Sequence, residues 1–339
     1  GGTGGWEDIY FKTSQRRGAS VLLESKQEFS VGRAERVSST PDSESDVIIV
    51  LIDSLRADHM STYGYERKTT PRIDAFAKDS VVFTQHIAHT SWTRPSVASL
   101  LTSTYPNIHG AVDRGDVVRD TVTWLPTVFQ ELGYETEGIV TNPNCIPLWG
   151  FGQGFRKYVD WHSQDYENVD DADAVNKTIS FLDVPNASSR FHFLHLMAPH
   201  FTYKPPEPFK GEFERPRGAD QDDFTYNLQS AVDLYDGEIA YVDSLLGGFF
   251  EHLRETGRYD SSLIIVLSDH GEEFWDHEQM FHGNTLFNEQ LKVPLMVKFP
   301  GNRFAGTRYD HIVETIDIAP SILEIVGEES PSKFQGTSF

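Results

Sequence analysis

The chain has a single cysteine, Cys145, among 339 residues. One thiol excludes an internal disulfide framework and any zinc site built from several cysteines. Basic residues are scarce as well: Lys+Arg number 29 against 51 Asp+Glu, a formal net charge of −22. Such a field repels phosphate backbones, so no nucleic-acid partner bound through a general basic surface is expected. Long apolar runs are missing too. The longest, such as Val47–Ile52, fall far below the roughly 20 residues that a membrane-spanning helix needs, so no transmembrane segment is expected. No secretory leader pattern opens the chain, which favours the cytoplasm, although the start at Gly1 leaves a processed or truncated N-terminus open.

What is present suffices for a core. Hydrophobic residues make up 38% and aromatics 12%, and the length suits one large α/β domain or two smaller ones. The acidity has two readings: plain solubility, or a high-salt cytoplasm in which dense surface carboxylates hold water and ions. Residues 1–45 are polar, Gly-rich at the start and rich in Ser, Glu and Asp at the end, and read as a peripheral segment and linker.

Order is expected from Asp46 onward. The β-branched run Val47–Ile52 suits a strand buried on both faces. Residues 80–83, 138–140, 191–197, 263–267 and 295–299 read as further strands. Residues 123–132, 222–254 and 318–326 read as helices, the first with Pro126 in its opening turn and Gly133 behind it. Parts of the acid- and proline-rich stretch 164–223 read as surface excursions. Strands alternating with helices predict a three-layer α/β/α sandwich around a mostly parallel sheet.

In such sheets ligands bind beyond the carboxyl ends of the strands. Asp53, Asn142, His200, Asp269 and His270 all follow strand candidates. Any one of them is most simply a helix cap or a surface histidine; five at corresponding positions point to a site. Asp53 with Asp269-His270 offers two carboxylates and an imidazole, a donor set for one divalent metal ion: Mn²⁺ or Zn²⁺, or Ca²⁺ if the shell is richer in oxygen. Pro95 suits the first turn of a helix, which places Thr93 just before it. That hydroxyl is either an N-cap or a nucleophile and metal ligand at the positive helix end, where a tetrahedral anion would sit.

Several stretches, in order, resemble the sulfatase family of the alkaline phosphatase superfamily. They are Asp53-Ser54-Leu55-Arg56-Ala57-Asp58 with Tyr63-Gly64-Tyr65, then Thr70-Pro71-Arg72-Ile73-Asp74, then residues 95–102. Pro199-His200 with residues 201–206, Ser268-Asp269-His270-Gly271-Glu272, His282-Gly283-Asn284 and Val293-Pro294-Leu295 complete the series. The resemblance runs from about Asp46 to Phe339 and implies an alkaline-phosphatase-like catalytic domain there. It implies that Asp53, Thr93, Asp269 and His270 bind metal and that Thr93 is the nucleophile. His200 and His282 would contact the transferred anion or protonate the leaving group. Asn142 falls near where many sulfatases carry a lysine against the anion, and Arg94 is a further candidate for anion contact.

The departures are specific. Formylglycine-using sulfatases carry Cys or Ser where Thr93 stands and Arg where Val97 stands, so formylglycine is not expected. Ser54 replaces a second Asp. Family members continue into a smaller C-terminal sheet, which this chain is expected to lack or to cut short. The implied activity is metal-dependent hydrolysis of sulfate or phosphate esters, the substrate an anionic ester with a glycan or lipid head group among the candidates. The alternatives are a phosphoryl-group transferase acting through Thr93 and a non-catalytic relative that binds anionic glycans.

Overall fold

The structure is a computed structural model that describes residues 45–160, 170–185, 188–218 and 221–339. The linker reading of residues 1–45 falls, except for Ser45, outside the described residues. The described strands are β1 Val47–Ile52, β2 Val81–Ile87, β3 Glu135–Val140, β4 Lys157–Asp160, β5 Arg190–Leu196, β6 Leu263–Ser268, β7 Glu273–Phe274, β8 Met280–Phe281, β9 Leu295–Lys298 and β10 Arg308–Glu314. Eight of them form one sheet in the order β10-β2-β9-β6-β1-β5-β3-β4, and β7 pairs with β8 in a separate hairpin. In the large sheet only the pairings of β9, with β2 and β6, are antiparallel.

The central strands explain why the sheet needs cover on both sides. Val47, Ile49 and Leu51 of β1 pack into one core, with Val97, Leu100 and Leu101 of the helix Thr93–Thr102 and Phe129 of the helix Leu125–Glu131. Ile48, Val50 and Ile52 pack into the other, with Phe76 of Pro71–Lys78 and with Tyr235, Ile239, Leu246 and Phe249 of Asp223–Glu255. Alternate side chains of one strand thus feed two separate cores, the three-layer arrangement expected from the unbroken apolar run.

Differences from the sequence reading sit at the periphery. β2 runs on to Ile87, beyond the expected end at Phe83. β10 has no counterpart among the expected strands, because its sequence RYDHIVE is largely exposed and charged, as suits an edge strand guarded against further pairing. β4 is the opposite edge and only four residues long. The stretch 164–223 holds the helix Asp171–Leu182 and β5 as well as a loop excursion after Leu196. Among the described residues no helix is long and apolar enough to cross a membrane.

Candidate active site

β1 lies between β5 and β6, and its register sets the site. Ile52 pairs with Leu196 on one side and Ser268 on the other, so Asp53 emerges beside Asp269 at the carboxyl edge of the sheet. Ser54 holds the two acids in place from a left-handed conformation (φ 58°) that is strained for a non-glycine residue. Its hydroxyl donates to Asp53 Oδ1 at 2.9 Å and its N–H to Asp269 Oδ1 at 3.2 Å. The next turn is closed by Gly271, where a Cβ would lie 1.9 Å from the Glu289 carbonyl oxygen, so no other residue fits behind His270.

Thr93 is the first residue of its helix, with the extended Trp92 as N-cap; the helix thus begins two residues earlier than Pro95 suggests. Its Oγ1 lies 3.3 Å from His270 Nε2 and 3.5 Å from Asp53 Oδ2, and accepts from Asn142 Nδ2 at 3.3 Å. Asn142 also donates to Asp53 Oδ2 at 2.6 Å. Its amide therefore ties Asp53 to Thr93, and Asn142 does not line the cleft. His270 Nε2 stands 3.4 Å from Asp269 Oδ2 and 3.6 Å from Asp53 Oδ1.

His195 is a site residue that the sequence reading does not include. It is fully buried in β5, with Nε2 3.1 Å from Asp53 Oδ2, and one ligand atom each of His195, Asp53 and Asp269 lies within 4.8 Å of the others. Its one signal is an imidazole at the position where the alternation Phe191, Phe193 calls for another apolar side chain.

These residues fit a cation. Asp53 and Asp269 are both sealed from solvent. Burial and the negative charge of Asp53 push the Asp269 carboxyl well above the usual carboxylate range. Burial works the same way on Asp53, but His195, His200 and His270 hold it well below that range. Asp269 Oδ2 has no hydrogen-bond partner. Two adjacent buried carboxylates with an unsatisfied oxygen between imidazoles call for positive charge.

Above this floor opens a cleft of about 660 Å³, lined among others by Trp92, Thr93, Arg94, Asn144, His200 and His282. The rings of His200 and His282 stand 4.7 Å apart, and His282 is 4.5 Å from His270. His282 Nδ1 meets Glu272 Oε1 at 2.9 Å, and Glu272 Oε2 accepts from the Tyr203 hydroxyl at 2.9 Å. Burial alone would lower the pKa of His282, but the carboxylate of Glu272 outweighs it and raises it. Glu272 and Tyr203 lie in stretches that resemble sulfatase motifs, yet nothing in their spacing announces this relay.

Arg94 is buried and carries no carboxylate partner among the described residues. It donates to the carbonyls of Arg114 and Asp116 at 2.7 and 2.8 Å and to Asn144 Oδ1 at 3.1 Å, and it stacks 3.7 Å over Trp149. The sequence reading makes it a candidate for anion contact. The structure gives it a second task, fastening the loop 112–116 to the cleft.

The layer order, with a crevice of carboxylates, imidazoles and one threonine hydroxyl at the strand ends, defines an alkaline-phosphatase-like α/β protein. The Sulfatase family model matches residues 45–328, and the chain belongs to the sulfatase family of ester hydrolases. The multifunctional alkaline phosphatase superfamily protein PehA of Trinickia caryophylli is 42% identical over 106 residues, 31% of this chain and 20% of that protein. The N-acetylglucosamine-6-O-sulfatase of Bacteroides thetaiotaomicron is 22% identical over 389 residues, 86% of this chain and 70% of that protein. The chain thus spans a fifth of the first relative's length and seven tenths of the second's. The phosphonate monoester hydrolase of Silicibacter pomeroyi has the same fold, with a TM-score of 0.74 at 22% identity, over 87% of this chain and 76% of that one.

Proposed function

We propose that residues 46–339 form a metal-dependent catalytic domain that hydrolyses anionic esters through Thr93, and that phosphate esters, diesters above all, are better substrates than matched sulfate esters. The observation that carries this reading is the place of Thr93 Oγ1, on the cleft floor within 3.5 Å of Asp53 and His270. Asp53, Thr93, Asp269 and His270 would hold one divalent cation, with His195 as a further donor. When bound, a Mn²⁺, Zn²⁺ or Ca²⁺ ion neutralises the paired carboxylates and lowers the pKa of the Thr93 hydroxyl.

The chain's own residues supply the rest. Asn142 keeps Thr93 and Asp53 in register. The first-turn N–H groups of the helix and the charge of Arg94 favour an anion above Thr93. Thr93 Oγ bonds to phosphorus as the bond from phosphorus to the leaving oxygen breaks. That oxygen takes a proton from His282 or His200. Water then attacks phosphorus and gives a proton back to that histidine as the phosphorus bond to Thr93 Oγ breaks, and Thr93 Oγ regains from solvent the proton it released there before attack.

Sulfate fares worse because its adduct on threonine is hard to clear. A formylglycine hydrate can expel sulfate by eliminating it from a geminal diol, whereas threonine has no second hydroxyl on that carbon. A sulfated Thr93 could be cleared only by attack at sulfur, while in-line attack at phosphorus is open. The test is kcat/KM for an aryl phosphodiester and the matched aryl sulfate under defined metals. The diester is expected to lead by about tenfold or more; a clear preference for the sulfate contradicts the reading. Product analysis with an added alcohol separates hydrolysis from transfer, since a new ester to that alcohol would mark a transferase.

Glu272→Gln keeps the shape of the relay and removes its charge. It is expected to slow esters with poor leaving groups about tenfold more than activated aryl esters, because only the former need the proton from His282. Equal losses on both would make Glu272 a packing residue. The high-salt reading has its own check. Self-repulsion from a net charge of −22 is screened as ionic strength rises, so the melting temperature should climb from low to molar salt. A flat or falling curve leaves only solubility.

A further inference from the structure

We propose that Arg114 forms a second anion subsite in the cleft, so that the substrate carries another negatively charged group on its leaving-group side. This deepens the ester-cleaving reading and rests on it. Arg114 lines the cleft together with Arg94, His200 and His282. Most of the described arginines in this acidic chain lie within salt-bridge distance of a carboxylate, Arg56, Arg67, Arg215 and Arg258 among them. Arg114 has no such partner among the described residues, and neither has Arg94.

Arg94 shows that the wall is built. It is 3% exposed, its Nε is buried without a partner, and its Nη1 grips the backbone carbonyls of Arg114 and Asp116. The loop is also tied to itself by Asp116, whose Oδ2 accepts from the N–H groups of Val112 and Asp113 at 3.0 and 2.7 Å. Arg114 is thus an exposed side chain on an anchored backbone. Asp113 faces the same cleft and offsets one positive charge, which leaves a net cationic wall in a chain of net charge −22. Arg114 shares the cleft with His200 and His282, the residues that would protonate the leaving oxygen, which puts it on the leaving-group side. A planar guanidinium suits a carboxylate above all, through paired hydrogen bonds, and sulfate or phosphate next.

The experiment measures binding, so it does not depend on turnover. Isothermal titration of the metal-loaded protein compares phenylphosphonate with phenylphosphonates bearing a ring carboxylate or a ring sulfonate. Wild type is expected to bind the carboxylate probe about tenfold more tightly than the parent, the scale of one charge-assisted hydrogen bond, with the sulfonate between them. Arg114→Ala should collapse that ratio to about one and Arg114→Lys should keep part of it, the electrostatic share without the paired geometry. Raising salt should shrink the wild-type ratio. Equal affinity for the three probes in wild type, or an unchanged ratio in Arg114→Ala, overturns the subsite and leaves the ester-cleaving reading standing. Failure of every probe to bind overturns both.

Discussion

Thr93→Ala is expected to lower kcat/KM by about a thousandfold or more while the protein stays folded. The loss is large because no neighbouring hydroxyl can replace it. Ser91 precedes the helix, and the Ser96 hydroxyl is already donated to the Asp269 carbonyl at 2.6 Å. Stability should change little, since Val97, Leu100 and Leu101 pack this helix into the core. Thr93→Ser restores the oxygen and should recover most of the rate, whereas Thr93→Val matches the shape without it and should behave as alanine does. Activity of Thr93→Ala within tenfold of wild type would mean that water attacks the ester directly.

Asp269→Asn is expected to abolish stoichiometric metal binding and, with it, at least about a thousandfold of activity. Stability should move the other way. In metal-free protein Asp269 can ionise beside Asp53 only at a cost, in a solvent-excluded place, and the amide removes that cost, so the variant should melt at or above the metal-free wild type. Adding metal at a hundred times its Kd stabilises wild type by about 2.7 kcal/mol and the variant not at all. Calorimetry with and without chelator, beside metal analysis, reads both effects. A variant that keeps one metal per chain removes Asp269 from the ligand set.

The two sequence signals that carry furthest are both local. The runs 47–52 and 263–267 are apolar on both faces, which only a covered central strand tolerates, and the polar residues that follow them, Asp53 and Ser268-Asp269-His270, are brought to one edge by the parallel register. Asp53, Asp269 and His270 are therefore legible in the residue pattern alone. Edge strands are not: Arg308–Glu314 is exposed and charged, and its pairing with β2 is a tertiary fact without a sequence period. His195 is hidden for a related reason. Its partner Asp53 is 142 positions away, so the contact exists only through strand order. Tyr203 and Glu272 likewise meet across 69 positions, while the short-range contacts of Glu272 with His282 and of Arg94 with residues 114 and 116 follow no helix or strand period.

The central claim is that Thr93 takes the transferred group. Rapid-quench mass spectrometry of metal-loaded protein turning over an aryl phosphodiester tests it most directly. A phosphoryl-ester adduct is expected on the peptide that contains Thr93, formed within the first turnover, absent from Thr93→Ala and lost as substrate is exhausted. Full turnover with no adduct on Thr93, or with an adduct on another residue, would contradict it.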